Sequence, residues 1–232
     1  MTELSDLPIR DSLKGRTPYG APQLHVPIAL NVNENSHRTP ETVALDVVSR
    51  LAEAVININR YPDREFTALR ERLAKYLGFN LVKERIWAAN GSNEVIQQIF
   101  QAFGGPGRKA LGFRPTYSMY SLIALGADTD YVEVDREARY ELTPDLVSEA
   151  IAKHQPDIVM LCSPNNPTGT PLSLSVVEAA YSASKGIVVV DEAYAEFSHG
   201  SESSAISLLP GRERLLVSRT MSKAFAFAGA RV

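Results

Sequence analysis

The chain has 232 residues, 44% hydrophobic and 22% charged, with a net charge of −3, which is the balance of a globular protein long enough to enclose a sizeable core. No basic block marks a nucleic-acid or anionic-membrane partner, and no apolar run approaches the length of a bilayer span. The lone cysteine, Cys162, excludes an intrachain disulfide and suits a reducing, cytoplasmic setting.

The first 40 residues are punctuated by Pro8, Pro18, Pro22, Pro27 and Pro40, so they read as an arm laid over other structure. Their polar start carries no apolar stretch of the signal-peptide kind. From Thr39-Pro40-Glu41 the spacing predicts a helix with Val43, Ala44, Val47, Val48 and Leu51 on one face. After the turn Arg60-Tyr-Pro-Asp63, a second amphipathic helix carries Phe66, Leu69, Leu73, Tyr76 and Leu77.

From residue 86 the rhythm becomes strand, helix, strand, helix. Strands are expected over 86–89, 109–113, 131–134, 157–162, 187–191 and 215–218. Helices are expected after Ser92, after Pro115, from Thr143-Pro144 to about Lys153, and over 173–184. The strands are unbroken Val/Ile/Leu runs rather than alternating ones, which predicts burial on both faces of an α/β sheet. In such sheets ligands sit beyond the carboxyl ends of the strands.

Those ends hold the residues able to do chemistry. Strand 86–89 leads into Asn90-Gly-Ser-Asn-Glu94, a helix start of the kind that binds anions through backbone N–H groups, though Ser92 alone is equally an ordinary cap. Strand 157–162 leads into Ser163-Pro-Asn-Asn-Pro-Thr-Gly169, a rigid turn. Strand 187–191 ends on Asp191, a carboxylate that is costly in an apolar run unless it finds a cationic or hydrogen-bonding partner. Beyond strand 215–218 lies Lys223, whose apolar segment favours the neutral amine that condenses with a carbonyl. An anion cradle, a carboxylate, a hydroxyl and amide pair and an amine together suit pyridoxal 5′-phosphate.

These phrases resemble the fold-type I pyridoxal-phosphate aminotransferases of the class II subgroup. Tyr61-Pro-Asp63, Gly91-Ser-Asn-Glu94, Pro115-Thr-Tyr-Ser-Met-Tyr120, Asp191-Glu-Ala-Tyr-Ala-Glu-Phe197 and Arg219-Thr-Met-Ser-Lys-Ala-Phe225 are similar, more narrowly, to the histidinol-phosphate branch of that family. The resemblance implies a mostly parallel, seven-stranded sheet wrapped by helices. It assigns residues 41–232 to a cofactor-binding large domain, incomplete at its C-terminal end. Residues 1–40 become an arm and part of a small domain whose C-terminal portion this chain lacks.

The resemblance also implies roles. Lys223 would bind the cofactor aldehyde and move the proton, Asp191 would pair with the ring nitrogen, and Tyr194 and Asn166 would bond the phenolic oxygen. Tyr117 would stack on the ring, and Ser92, Asn93, Ser222 and Arg231 would bind the phosphate. Tyr61 would reach that phosphate from a second copy in a homodimer, and Tyr19 would help close the substrate pocket. The expected reaction is a ping-pong exchange between an amino donor and a 2-oxo acid, histidinol phosphate with 2-oxoglutarate in histidine biosynthesis. An aromatic or broad-specificity aminotransferase is the alternative, and an inert cofactor-binding or dimerising fragment is the alternative of another class. The arginines that bind substrate in the family lie beyond Val232, and Ser36-His37 stands where the family usually has proline.

Other readings fall away on spacing. Gly104-Gly-Pro-Gly107 lacks the phosphate-loop pattern. No glycine-rich turn is followed by an acidic residue at dinucleotide-binding distance. His25, His37, His154 and His199 show no metal-ligand spacing, so no metal is expected.

Overall fold

The computed structural model describes residues 6–16, 20, 22, 24–198 and 204–232. The chain divides into two compact units, Met1–Asn33 with Ile96–Arg219, and Glu34–Val95 with Thr220–Val232.

The first unit is built on a five-stranded sheet of β1 (Lys109–Arg114), β2 (Asp130–Asp135), β3 (Ile158–Cys162), β4 (Ile187–Asp191) and β5 (Leu215–Ser218). Every pairing is parallel and the strand order is β2-β1-β3-β4-β5. All five residues of β3, the central strand, are buried. This is the two-sided burial expected of an unbroken apolar run. The order reverses between β1 and β3, so the sheet has a topological switch point there, where α/β sheets bind ligands.

The helices of this unit are α4 (Met119–Gly126), α5 (Pro144–His154), α6 (Leu174–Ala183) and, from Ile96 onward, α3 (Ser92–Phe103). Proline stands at the first position of α5, where its missing N–H is no loss. The Thr143 hydroxyl accepts from the Leu146 N–H at 3.3 Å and caps that helix. Helix α5 packs along α6, and α6 on β4. Phe113, Val147, Leu161, Val176 and Val188 share the resulting apolar layer.

The second unit has no sheet among its described residues. It holds α1 (Glu41–Val55), α2 (Thr67–Leu77) and the segment from Thr220 to Val232. The Asp63 carboxylate accepts from the N–H groups of Glu65 (3.0 Å) and Thr67 (2.8 Å), so the Tyr61-Pro-Asp63 turn starts α2. Arg70 Nε donates to the Lys83 carbonyl at 2.9 Å and ties α2 to the turn that follows it.

Two sequence expectations need correction. The sheet has five strands, not seven. Residues 86–89 form no strand: they pair in no ladder among the described residues, although Ile86 is extended. β-Branched composition makes such a run extended, but a strand also needs a neighbour to take its backbone hydrogen bonds. In α1 the helix forms where expected, yet none of its fifteen residues is buried. Val43, Val47, Val48 and Leu51 of the expected apolar stripe are all exposed.

Candidate active site

The predicted residues fall in both units. In the first, Asp191 is the last residue of β4 and lies in register with Cys162 of β3 and Ser218 of β5. It is 2% exposed, and all its donors are neutral. Oδ1 accepts from the Ala193 N–H at 3.2 Å and the Ser218 hydroxyl at 3.0 Å, and Oδ2 accepts from the Tyr120 hydroxyl at 2.7 Å. Burial pushes the Asp191 carboxyl above its ordinary value, and those three donors pull it back.

Tyr117 and Asn166 stand on the loops after β1 and β3, so the chain places them on either side of the switch point. The Tyr117 ring meets Tyr120 edge-on at 5.5 Å. Asn166 follows Asn165, a buried amide with every position filled. Its oxygen accepts from Thr116 Oγ1 (2.9 Å) and Arg136 (3.0 Å), and its nitrogen donates to the Pro115 carbonyl (3.0 Å) and Thr168 Oγ1 (2.8 Å). Tyr194 is half-buried, and the Asn33 amide donates to its hydroxyl at 3.0 Å. Burial is the first cause holding that phenol above its ordinary value.

Next to Asp191, Glu192 is also buried. It is held by Arg219 at 2.8 Å, the Ser204 hydroxyl at 2.8 Å and the Ala205 N–H at 2.6 Å, and Arg219 reaches Glu196 as well at 2.8 Å. This ion cluster joins the segment after β4 to the end of β5.

In the second unit, Ser92 and Asn93 form the first turn of α3. Glu94 reaches back to accept from the Asn90 N–H at 2.6 Å. The Arg231 guanidinium donates to the Asn90 carbonyl at 3.3 Å, and a methyl added at Gly91 would stand 3.0 Å from it. Gly91 therefore allows the cation to approach the start of α3, and its φ of 81° is one that glycine adopts without strain. A positive side chain thus adjoins the positive end of a helix, a setting that suits an anion.

The Thr220–Val232 segment folds on itself. The Met221 N–H donates to the Val232 carbonyl at 2.9 Å, and the Thr220 hydroxyl, with one proton to give, lies within hydrogen-bond reach of both that carbonyl (3.1 Å) and Ser222 Oγ (3.0 Å). Lys223 is half-buried in this fold, and Asn35 grips the Lys223 and Ala224 carbonyls at 3.2 Å each. Desolvation holds the Lys223 amine below its ordinary value, opposed by Glu34 and assisted by Arg231. Tyr61 is fully exposed. Tyr19 lies outside the described residues.

The structure thus places Asp191 at the end of β4 and Tyr194, Tyr117 and Asn166 on segments that follow β4, β1 and β3 of the same unit. It gathers Ser92, Asn93, Ser222, Lys223 and Arg231 in the other unit. Sequence reasoning passed over Tyr120, Ser218, Asn165, Asn33 and Asn35. Tyr120 was within reach of it: an aromatic hydroxyl on a helix beside the sheet has to find a partner once buried. Among the described residues there is no cluster of metal ligands and no helix long and apolar enough to cross a membrane.

One unit carries a parallel α/β sheet with polar groups at the carboxyl ends of its strands, and the other carries a half-buried lysine and a basic helix start. The family pattern for aminotransferases of class I and II matches residues 26–232, and the chain belongs to that family. It is 61% identical to a histidinol-phosphate aminotransferase of Paenarthrobacter aurescens strain TC1 over 235 residues, covering 100% of this chain and 63% of that protein. A histidinol-phosphate aminotransferase of Thermobifida fusca strain YX is 54% identical over 230 residues, covering 99% and 62%. The crystal structure of histidinol-phosphate aminotransferase from Sinorhizobium meliloti, in complex with pyridoxal-5′-phosphate, superimposes with a TM-score of 0.75. It covers 86% of this chain and 53% of that one at 24% identity, a likeness of fold. The chain spans about three-fifths of the length of the curated relatives it matches.

Proposed function

We propose that this chain is the cofactor-binding part of a pyridoxal-phosphate-dependent aminotransferase that moves the amino group of histidinol phosphate to 2-oxoglutarate. The observation that carries the reading is Asp191, a fully buried carboxylate at a strand's carboxyl end with only neutral donors. Such a charge is costly to bury, and a cation brought by a ligand offsets that cost. Identity of 61% to a protein named for this reaction supports the choice of substrate.

The residues present fit the cofactor. Arg231 and the start of α3, with Ser92, Asn93 and Ser222, offer donors for a phosphate. When bound, pyridoxal phosphate supplies an aldehyde and an electron-withdrawing ring. Asp191 keeps the ring nitrogen protonated, and Tyr194 and Asn166 hydrogen-bond the phenolic oxygen. Tyr117 stacks on the ring. Lys223, held toward its neutral form by desolvation, would hold the cofactor through its aldehyde and would serve as the base that moves the substrate proton.

The same reading makes the protein a homodimer in which Tyr61 of the partner subunit reaches the phosphate. The full exposure of Tyr61 in a single chain supports this. A cytoplasmic setting accords with a single, buried, unpaired cysteine. Mixing the protein with pyridoxal phosphate tests the proposal. A yellow colour absent in Lys223→Ala, and bleached by histidinol phosphate faster than by phenylalanine, is expected. A colourless protein would overturn the cofactor assignment, and faster bleaching by phenylalanine the substrate assignment.

A further inference from the structure

We propose that Tyr120 is a positioning residue for this reaction: its buried hydroxyl holds Asp191 ionised and leaves a single acceptor position on that carboxylate for the ring nitrogen. The inference rests on the cofactor reading above, and its first experiment does not.

An ionised carboxylate has about four acceptor positions. Two donors, the Ala193 N–H and the Ser218 hydroxyl, occupy Oδ1. The Tyr120 hydroxyl occupies one position on Oδ2 at 2.7 Å. One position remains, on Oδ2, and a protonated ring nitrogen needs one. The three donors come from three elements, the loop after β4, the end of β5 and helix α4, so the carboxylate cannot rotate without losing bonds to at least one. Tyr120 is 0% exposed, and its ring is fixed edge-on against Tyr117, the residue assigned to stack on the cofactor. The phenol therefore links the group that stacks on the ring to the group that charges it.

The other titratable groups facing Asp191 are the Cys162 thiol and the Tyr194 phenol. The thiol is pushed up to about 12, chiefly by burial, and the phenol is also raised. Both stay protonated at neutral pH, so neither adds a second negative charge to Asp191, and the buried Arg136 guanidinium lies near enough to act on Tyr120 and Cys162. Burial holds the Tyr120 phenol itself well above its ordinary value, so it acts as a donor and does not titrate.

The experiment follows the Asp191 carboxyl by carbon-13 NMR in the chain labelled at aspartate and free of cofactor, with the signal assigned by its loss in Asp191→Asn. Tyr120→Phe keeps the buried ring and removes the donor, so the Asp191 titration is expected to rise by about one to two pH units. Fluorotyrosine at position 120, a more acidic donor, is expected to move it down. Tyr131→Phe serves as control, because it removes a buried hydroxyl that has no partner, and is expected to leave Asp191 unmoved. An Asp191 titration unchanged in Tyr120→Phe, or shifted in the same direction by the phenylalanine and fluorotyrosine variants, would overturn the role.

The second arm loads each protein with pyridoxal phosphate labelled with nitrogen-15 in the ring. Loss of ring-nitrogen protonation at lower pH in Tyr120→Phe than in the parent is expected, and an identical profile would refute the link to the ring. If no cofactor binds at all, the functional reading fails while the first arm still decides the Tyr120–Asp191 bond.

Discussion

Replacing Arg219 by leucine puts the ion cluster after β4 to a quantitative test. Glu192 has 2% of its side chain exposed and Arg219 has 23%, and the pair meets at 2.8 Å. Removing one partner of a buried pair costs about 3–5 kcal/mol, because the other charge stays behind without compensation. Partial exposure of the arginine places this case at the low end, about 3 kcal/mol, or roughly two decades in the folded-to-unfolded ratio. Glu192→Gln added to Arg219→Leu removes the stranded charge and is expected to recover at least about 1 kcal/mol.

The pH dependence has a definite sign. Burial raises the Glu192 carboxyl above its ordinary value, and Arg219 is the largest of the influences opposing that rise. Without the arginine the folded value climbs further. A carboxyl raised on folding weakens the fold at pH above that raised value, and the weakening fades as pH falls toward the unfolded value. The Arg219→Leu deficit is therefore largest at about pH 8 and smaller at about pH 5. Urea unfolding followed by far-ultraviolet circular dichroism at both pH values measures it. A loss below about 1 kcal/mol, or one equal at the two pH values, would show that the cluster does not act as a buried ion pair.

Two further tests address other links in the chain of reasoning. At Gly186 an added methyl would run into the Asp157 backbone carbonyl, which also accepts from the Ile187 N–H at 2.8 Å. Backbone cannot step aside as a side chain can, so Gly186→Ala is expected to cost about 1–3 kcal/mol in the same urea experiment, and an unchanged midpoint would refute the close approach of β3 and β4. Because desolvation favours its neutral amine, Lys223 is expected to react with pyridoxal phosphate at lower pH than exposed lysines do. Borohydride trapping followed by peptide mass analysis reads the labelled position, and labelling spread evenly over the lysines would refute it.

Composition and period carried the architecture well. The Val/Ile/Leu runs at 158–162 and 187–190 became the buried centre of a parallel sheet, and Thr143-Pro144 capped α5 as its residue types imply. Tertiary supply decided what was not legible. The apolar run at 86–89 has strand composition, but composition does not reveal whether a neighbouring strand exists to pair with it. The stripe on α1 has helical spacing, but spacing does not reveal what, if anything, covers it. Within the candidate site, Asp191 could be picked out because a charge ending an apolar strand is conspicuous. The sequence signals that a buried Tyr120 hydroxyl needs some partner, but not that Asp191 is that partner, since Tyr120 lies 71 positions away and Ser218 lies 27 away. Hydrogen bonds across such separations follow from register and helix placement, which only three-dimensional packing sets.

Asn165 gives the loop between β3 and α6 an all-or-nothing character. One amide fastens the exit of β1, the Arg136 side chain and the turn at Thr168, so none of these can drift while the others stay in place. Sequence change there is consequently constrained as a set. A chain that alters Thr116 or Arg136 has to re-engineer the whole knot.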